Sequence, residues 1–137
     1  MPGLIYAHWH AYMSCNTMMD LLTADTAYTQ FKAGQEARAT LLRGFTTIRD
    51  AGGPVFGLKR AIDEGTLSGP RIYPSGSLTS QTGGHGDFRA VYDEPRPFDC
   101  CGLTHTEKMG AAIIADGIDA VTVAARNNLR LGASQIK

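Results

Sequence analysis

The sequence is short of several things that commonly announce a function. Three cysteines, Cys15, Cys100 and Cys101, are too few and too unevenly placed for a disulfide framework, so a reducing, cytoplasmic setting is the expectation. Thirteen basic and thirteen acidic side chains leave a formal net charge of zero, which removes the electrostatic reason to expect nucleic acid or an anionic membrane surface. No apolar run approaches the length of a membrane span, and the first residues lack the basic-then-apolar order of a secretory leader. Glycines 83, 84 and 86 are not followed by Gly-Lys-Ser/Thr, so they do not make a phosphate loop. Glycine itself is plentiful, with 16 in 137 residues, and it falls mostly where strands and helices should end.

A chain of this length is the size of one domain. Its pattern alternates strand and helix, as in a parallel α/β sheet. The first strand covers Gly3 to His8, and a Met-rich polar loop leads from it to a helix ending near Leu41, Leu42 and Arg43. Gly44 then stands where a left-handed cap is wanted. Phe45 to Arg49 is β-branched and aromatic and reads as the second strand. Pro54 opens a second helix, with Leu58 and Ile62 on one face and Gly65 past its end. Arg71 to Ser75 is a short third strand, followed by a glycine-rich loop from Gly76 to about Leu103. A last helix starts near Asp116, with Ile118, Val121, Ala125 and Leu129 as its stripe, and Ala133 to Lys137 begins a fourth strand. No internal repeat, domain boundary or disordered linker stands out, so residues 1–137 read as one unit.

His8 and His10 close the first apolar run. The two-residue period of a strand points both imidazoles to one face, and two nitrogen donors side by side are half of a zinc-type site. The spacing alone equally suits one hydrogen-bonded and one exposed histidine. About three βα units plus a fourth strand, with right-handed crossovers, amount to part of a (β/α)8 TIM barrel. In such barrels the chemistry sits at the carboxyl ends of strands, where His8, His10, Arg49, Asp50, the Gly76–Leu103 loop and Lys137 all fall. A closed barrel needs about 250 residues, so this length makes an incomplete domain with open edges through which copies can associate. A flavodoxin-like open sheet is the other architecture. Against it, the first strand runs into His-Trp-His and not into a glycine-rich phosphate turn.

Several motifs in fixed order carry a resemblance. Met-Pro-Gly-Leu-Ile-Tyr-Ala-His-Trp-His (1–10) resembles the opening barrel strand of the amidohydrolase superfamily. Gly-Phe-Thr-Thr-Ile-Arg-Asp-Ala-Gly-Gly (44–53) and Gly-Pro-Arg-Ile-Tyr-Pro-Ser-Gly (69–76) are similar to its second and third strands. Ser-Gln-Thr-Gly-Gly-His-Gly-Asp (80–87) and Gly-Ala-Ser-Gln-Ile-Lys (132–137) point to the imidazolonepropionase-like and Xaa-Pro dipeptidase-like branch. The resemblance implies a metal-dependent hydrolase of carbon–nitrogen bonds in amides, cyclic amides or dipeptides, with a metal-activated hydroxide as nucleophile. It implies two divalent ions per complete site, zinc above all, with His8 and His10 as ligands and Lys137 as a carboxylated, bridging ligand. An ammonium cannot bind a cation, whereas a carbamate offers anionic oxygens. The same resemblance puts His85 against a small amide or peptide substrate or in the surroundings of the second metal.

The sequence also departs from the family. Tyr6 stands where the family usually has an Asp two residues before the first histidine, and a phenol is the weaker acceptor. Two further metal-binding histidines and a proton-shuttling aspartate come, in the family, from later strands. The expectation is therefore a fragment of a hydrolase, inactive by itself, with a non-catalytic half-barrel binding or assembly protein as the alternative. Among the remaining candidates, Arg49 and Asp50 suit either substrate binding or a structural ion pair. Asp87 reads as an orderer of its loop. Cys100 and Cys101 with His105 lack the C-x-x-C spacing of a zinc site.

Overall fold

The protein is described here by a computed structural model covering residues 2–92 and 102–137. Its strands are β1 (Leu4–Trp9), β2 (Phe45–Asp50), β3 (Arg71–Pro74), β4 (Leu78–Ser80) and β5 (Ala112–Ile114). Its helices are α1 (Met18–Thr23), α2 (Thr26–Leu42), α3 (Phe56–Asp63), α4 (His105–Lys108) and α5 (Gly117–Arg130). The fold is mixed α/β with parallel strands. β1, β2 and β3 form a parallel sheet in that order, and β4 pairs with β5 in a second, two-stranded parallel sheet. Among the described residues, no helix is long and apolar enough to cross a membrane.

Local chemistry explains the helices. Thr17 and Asp20 make a reciprocal capping box that starts α1, and the Asp25 carboxylate accepts the Ala27 amide to start α2. α2 buries small side chains, Thr29, Ala33, Gly34, Ala37 and Thr40, so its axis lies close to the sheet. Gly44, at φ 95°, turns the chain from α2 into β2. The core beneath is built from Trp9, Tyr12, Ile48, Val55, Leu58 and Ile72, packed against Ala33 and Ala37. β2 and β3 align residue for residue from Thr47↔Arg71 to Asp50↔Pro74. β1 does not: its register shifts between Leu4 and Ile5 and again between Tyr6 and Trp9, the second irregularity taking in His8 itself.

Three expectations are corrected. The stretch from Gly76 to about Leu103 is not all loop, because Leu78–Ser80 forms β4. The segment 133–137 is not a fourth strand. It lies beside the end of β3, with the Ser134 amide donating to the Pro74 carbonyl at 2.7 Å and the Lys137 carbonyl accepting from Thr79 at 2.8 Å. The Gln135 side chain adds two further ties, donating to the Asp50 and Tyr73 carbonyls, both at 3.0 Å. The Met-rich stretch after β1 is also more ordered than a loop, since it contains α1.

Candidate metal centre

The strand ends position a small cluster. His8, exposed on β1, and His10, half-buried just beyond it, have ring centroids 5.3 Å apart. Lys137 arrives from the far end of the sequence, and its Nζ lies 3.1 Å from His8 Nε2. The sequence-predicted trio is thus brought together. His85 is close enough to His10 to act on its charge, but it is exposed and makes no hydrogen bond to His8, His10 or Lys137 among the described residues.

Each group is held by something definite. His10 Nδ1 faces the Gly52 carbonyl at 3.4 Å, so a proton on Nδ1 leaves Nε2 as the lone-pair donor. Burial lowers the His10 pKa most; the Gly52 carbonyl opposes this, and the charges of Lys137, His8 and His85 add to the lowering. Lowering favours neutral imidazole, the form that binds metals. The turn supplying that carbonyl requires glycine: Gly52 has φ 141°, and a Cβ there would meet Leu78 Cδ2 at 2.4 Å.

Asp50, at the end of β2, is wholly buried, and it is neither a substrate group nor the partner of Arg49. Its carboxylate accepts the Ala11 amide at 2.7 Å and the Gly52 amide at 3.1 Å, tying the loop after His10 to the Gly52 turn. Burial raises its pKa to about 6, against the lowering effect of those two amides and of Lys137. Arg49 points the opposite way, to the Ala7 carbonyl at 3.5 Å. Asp50 and Gln135 are the supports that motif reading did not find; an Asp between a strand and Ala-Gly-Gly is the only local signal for the first.

The loop carrying His85 is tied at several points. Asp87 accepts the Gly83 amide at 2.8 Å and pairs with Arg89 at 2.6 Å, which holds its carboxyl well below the usual range. The Gly86 amide donates to Ser80 Oγ at 3.0 Å, and Thr82 donates twice to Asp116, at 3.0 and 2.6 Å. Tyr6 stacks on Phe45 with centroids 5.2 Å apart. Cys100 and Cys101 lie outside the described residues, and His105 opens α4. The Cys15 thiol contacts the Ala11 and Tyr12 carbonyls, and burial chiefly raises its pKa.

The donors suit one cation and not two. The His8 nitrogen meets Lys137 with the His10 ring beside it, and Lys137 would complete a three-donor, open site as a carbamate and would repel a cation as an ammonium. No cluster of three or more His, Cys, Asp or Glu side chains arranged for a metal is found among the described residues.

The profile of the Amidohydrolase family matches residues 1–135. An ochratoxinase from Aspergillus niger is 32% identical over 144 aligned residues, which take in 100% of this chain and 30% of that protein. A prolidase solved with N-methylphosphonate-L-proline superimposes with a TM-score of 0.84 at 40% identity, covering 100% of this chain and 33% of the prolidase. A Xaa-Pro dipeptidase solved with methionine in its active site gives 0.74 at 30% identity, covering 98% of this chain and 32% of the dipeptidase. The chain therefore spans about a third of the length of these relatives.

Proposed function

The chain belongs to the amidohydrolase family, and from that premise we propose that it supplies the first-strand metal ligands of a hydrolase acting on amide or peptide bonds. One observation carries this reading: His8 and Lys137, 129 residues apart, meet at 3.1 Å with the His10 ring beside them. In this reading His8 and His10 donate ring nitrogens to zinc. Neutral Lys137 adds to carbon dioxide, forming an N–C bond and releasing a proton, and ligates through the resulting carbamate. A divalent ion held there would supply Lewis acidity toward a carbonyl. His85 faces the substrate, a small amide or dipeptide of the kind the relatives' names indicate. Asp50 and Gly52 hold the His10 loop in place, and partial burial keeps His10 unprotonated.

β1 to β3 are, in the same reading, the opening strands of a (β/α)8 barrel whose full ligand set belongs to the whole length of the relatives, with two ions per complete site. The 137-residue chain alone then binds metal without turning over substrate. A second reading, an assembly protein using open barrel edges, is favoured by the exposure of Leu4, Ile5 and Tyr6 on edge strand β1.

The test is zinc titration of the purified chain with elemental analysis, beside a Xaa-Pro dipeptide hydrolysis assay. The expected result is one zinc per chain, lost in both His8→Ala and His10→Ala, with no hydrolysis. Unchanged zinc content in the two variants removes the ligand assignment. Robust metal-dependent turnover removes the claim of incompleteness.

A further inference from the structure

The end of β2 joins the segments that meet around the contact between His8 and Lys137. The Asp50 carboxylate grips the loop after His10 through the Ala11 and Gly52 amides, at 2.7 and 3.1 Å. The backbone carbonyl of the same residue accepts the Ser75 amide at 3.1 Å and Gln135 Nε2 at 3.0 Å. Gln135 Nε2 donates also to the Tyr73 carbonyl at 3.0 Å, so one amide group spans the ends of β2 and β3. Its two N–H bonds match two acceptors. The amide oxygen in the same place would face two carbonyl oxygens, which fixes the orientation of the group.

The rest of the segment is held through its backbone. The Ala133 amide donates to the Asn128 carbonyl of α5 at 3.0 Å, Ser134 to Pro74 of β3 at 2.7 Å, and the Lys137 carbonyl accepts from Thr79 of β4 at 2.8 Å. Lys137 Nζ apart, only the Gln135 side chain reaches β2, the strand beside that of His8, among the described residues. Lys137 is exposed and stands on a flexible four-carbon stem, so its Nζ stays at His8 only if the backbone beneath it is held. We propose that Gln135 is the positioning residue for Lys137: its amide, laid across β2 and β3, sets where the lysine starts and hence the spacing of His8, His10 and Lys137. The inference rests on the reading of those three side chains as metal ligands. It adds that Asp50 and Gln135 register them through one strand end, Asp50 for the histidine loop and Gln135 for the lysine.

A proton–proton Overhauser effect between the Lys137 ε-methylene and the His8 ring reports the contact in the metal-free chain. It is expected in the unmodified chain and in Ile136→Ala, a change at a partly exposed neighbour. It is expected to vanish in Gln135→Met, which keeps the length of the side chain and loses the donors, while circular dichroism still reports the folded chain. If Gln135→Met does not fold, Gln135→Glu is read instead; its carboxylate faces two carbonyl oxygens, and the same loss is expected. Zinc affinity is the second readout, and Gln135→Met should lower it about tenfold or more. The assignment is overturned by an Overhauser effect that persists without the Gln135 amide, is lost equally in Ile136→Ala, or is absent from the unmodified chain. Its loss with unchanged zinc affinity would uphold Gln135 as the positioning residue and remove Lys137 from the ligands, so the two readings fail separately.

Discussion

β1 and β2 are neighbours of equal length in one sheet, yet they are sustained by different means. β2 has Ile48 and Asp50 fully buried, is paired on both sides, and is covered by α2. β1 is paired on one side only, and all of it before Trp9 is exposed, including Ile5 at 71%. The strand that carries His8 is therefore the less supported one. His8 sits on this open edge, held in register by a bulged ladder, while the strand beside it carries the packing. Packing and the proposed metal ligands are thus divided between adjacent strands, and the division can be attacked from either side.

The largest effect is expected at the inner strand. Ile48→Ala empties a fully buried position and should cost about 2–5 kcal/mol, read as a lowered urea midpoint. A loss under about 1 kcal/mol would mean that β2 is not the packing strand.

Next comes the buried carboxyl at its end. Asp50 has a folded-state pKa raised from 3.8 to about 6. Between those values the folded protein keeps a proton that the unfolded chain has released, so stability falls as pH rises through that window and levels off above it. The full change is about 3 kcal/mol, from a shift of about two pH units. The difference in stability between the native chain and Asp50→Asn, followed from pH 4 to 7, should decline along this course. A difference that is flat or rises would contradict the burial argument.

The smallest effect is expected on the open edge. Ile5→Ala should change stability by under about 0.5 kcal/mol in dilute solution, as at other exposed positions. A cost that grows with protein concentration would instead show β1 covered by another copy, favouring the assembly reading.

The contrast between strands also separates what the sequence displayed from what it concealed. β1, β2, β3 and α5 were legible because each has a run long enough to show its period, and glycines 44 and 65 mark real helix ends. β4 and β5 were not, since three residues show no period and each exists only through its pairing with a segment over thirty residues away. Residues 133–137 misled in the other direction: the motif is strand-like, but it meets β3 through the Ser134 amide and the Gln135 side chain and forms no ladder. Of the site, the histidine pair and Lys137 were visible as motifs, and the family resemblance joined them. The supports were hidden for a physical reason. Asp50 works through backbone amides of residues 11 and 52, and Gly52 through its carbonyl, so neither role leaves a side-chain signature at the partner position.

The contact between His8 and Lys137 also bears on the order of folding. Joining residues 129 apart closes almost the longest loop this chain can make, and such closures come late because their entropy must be met before they return anything. The ladders of β1 to β3 and the helix caps are far more local and can stand without it. Partial loosening should consequently separate lysine from histidine while circular dichroism still reports intact helices. The expected order is that their proximity is gained late and lost early, read as loss of the His8–Lys137 contact before helical signal falls.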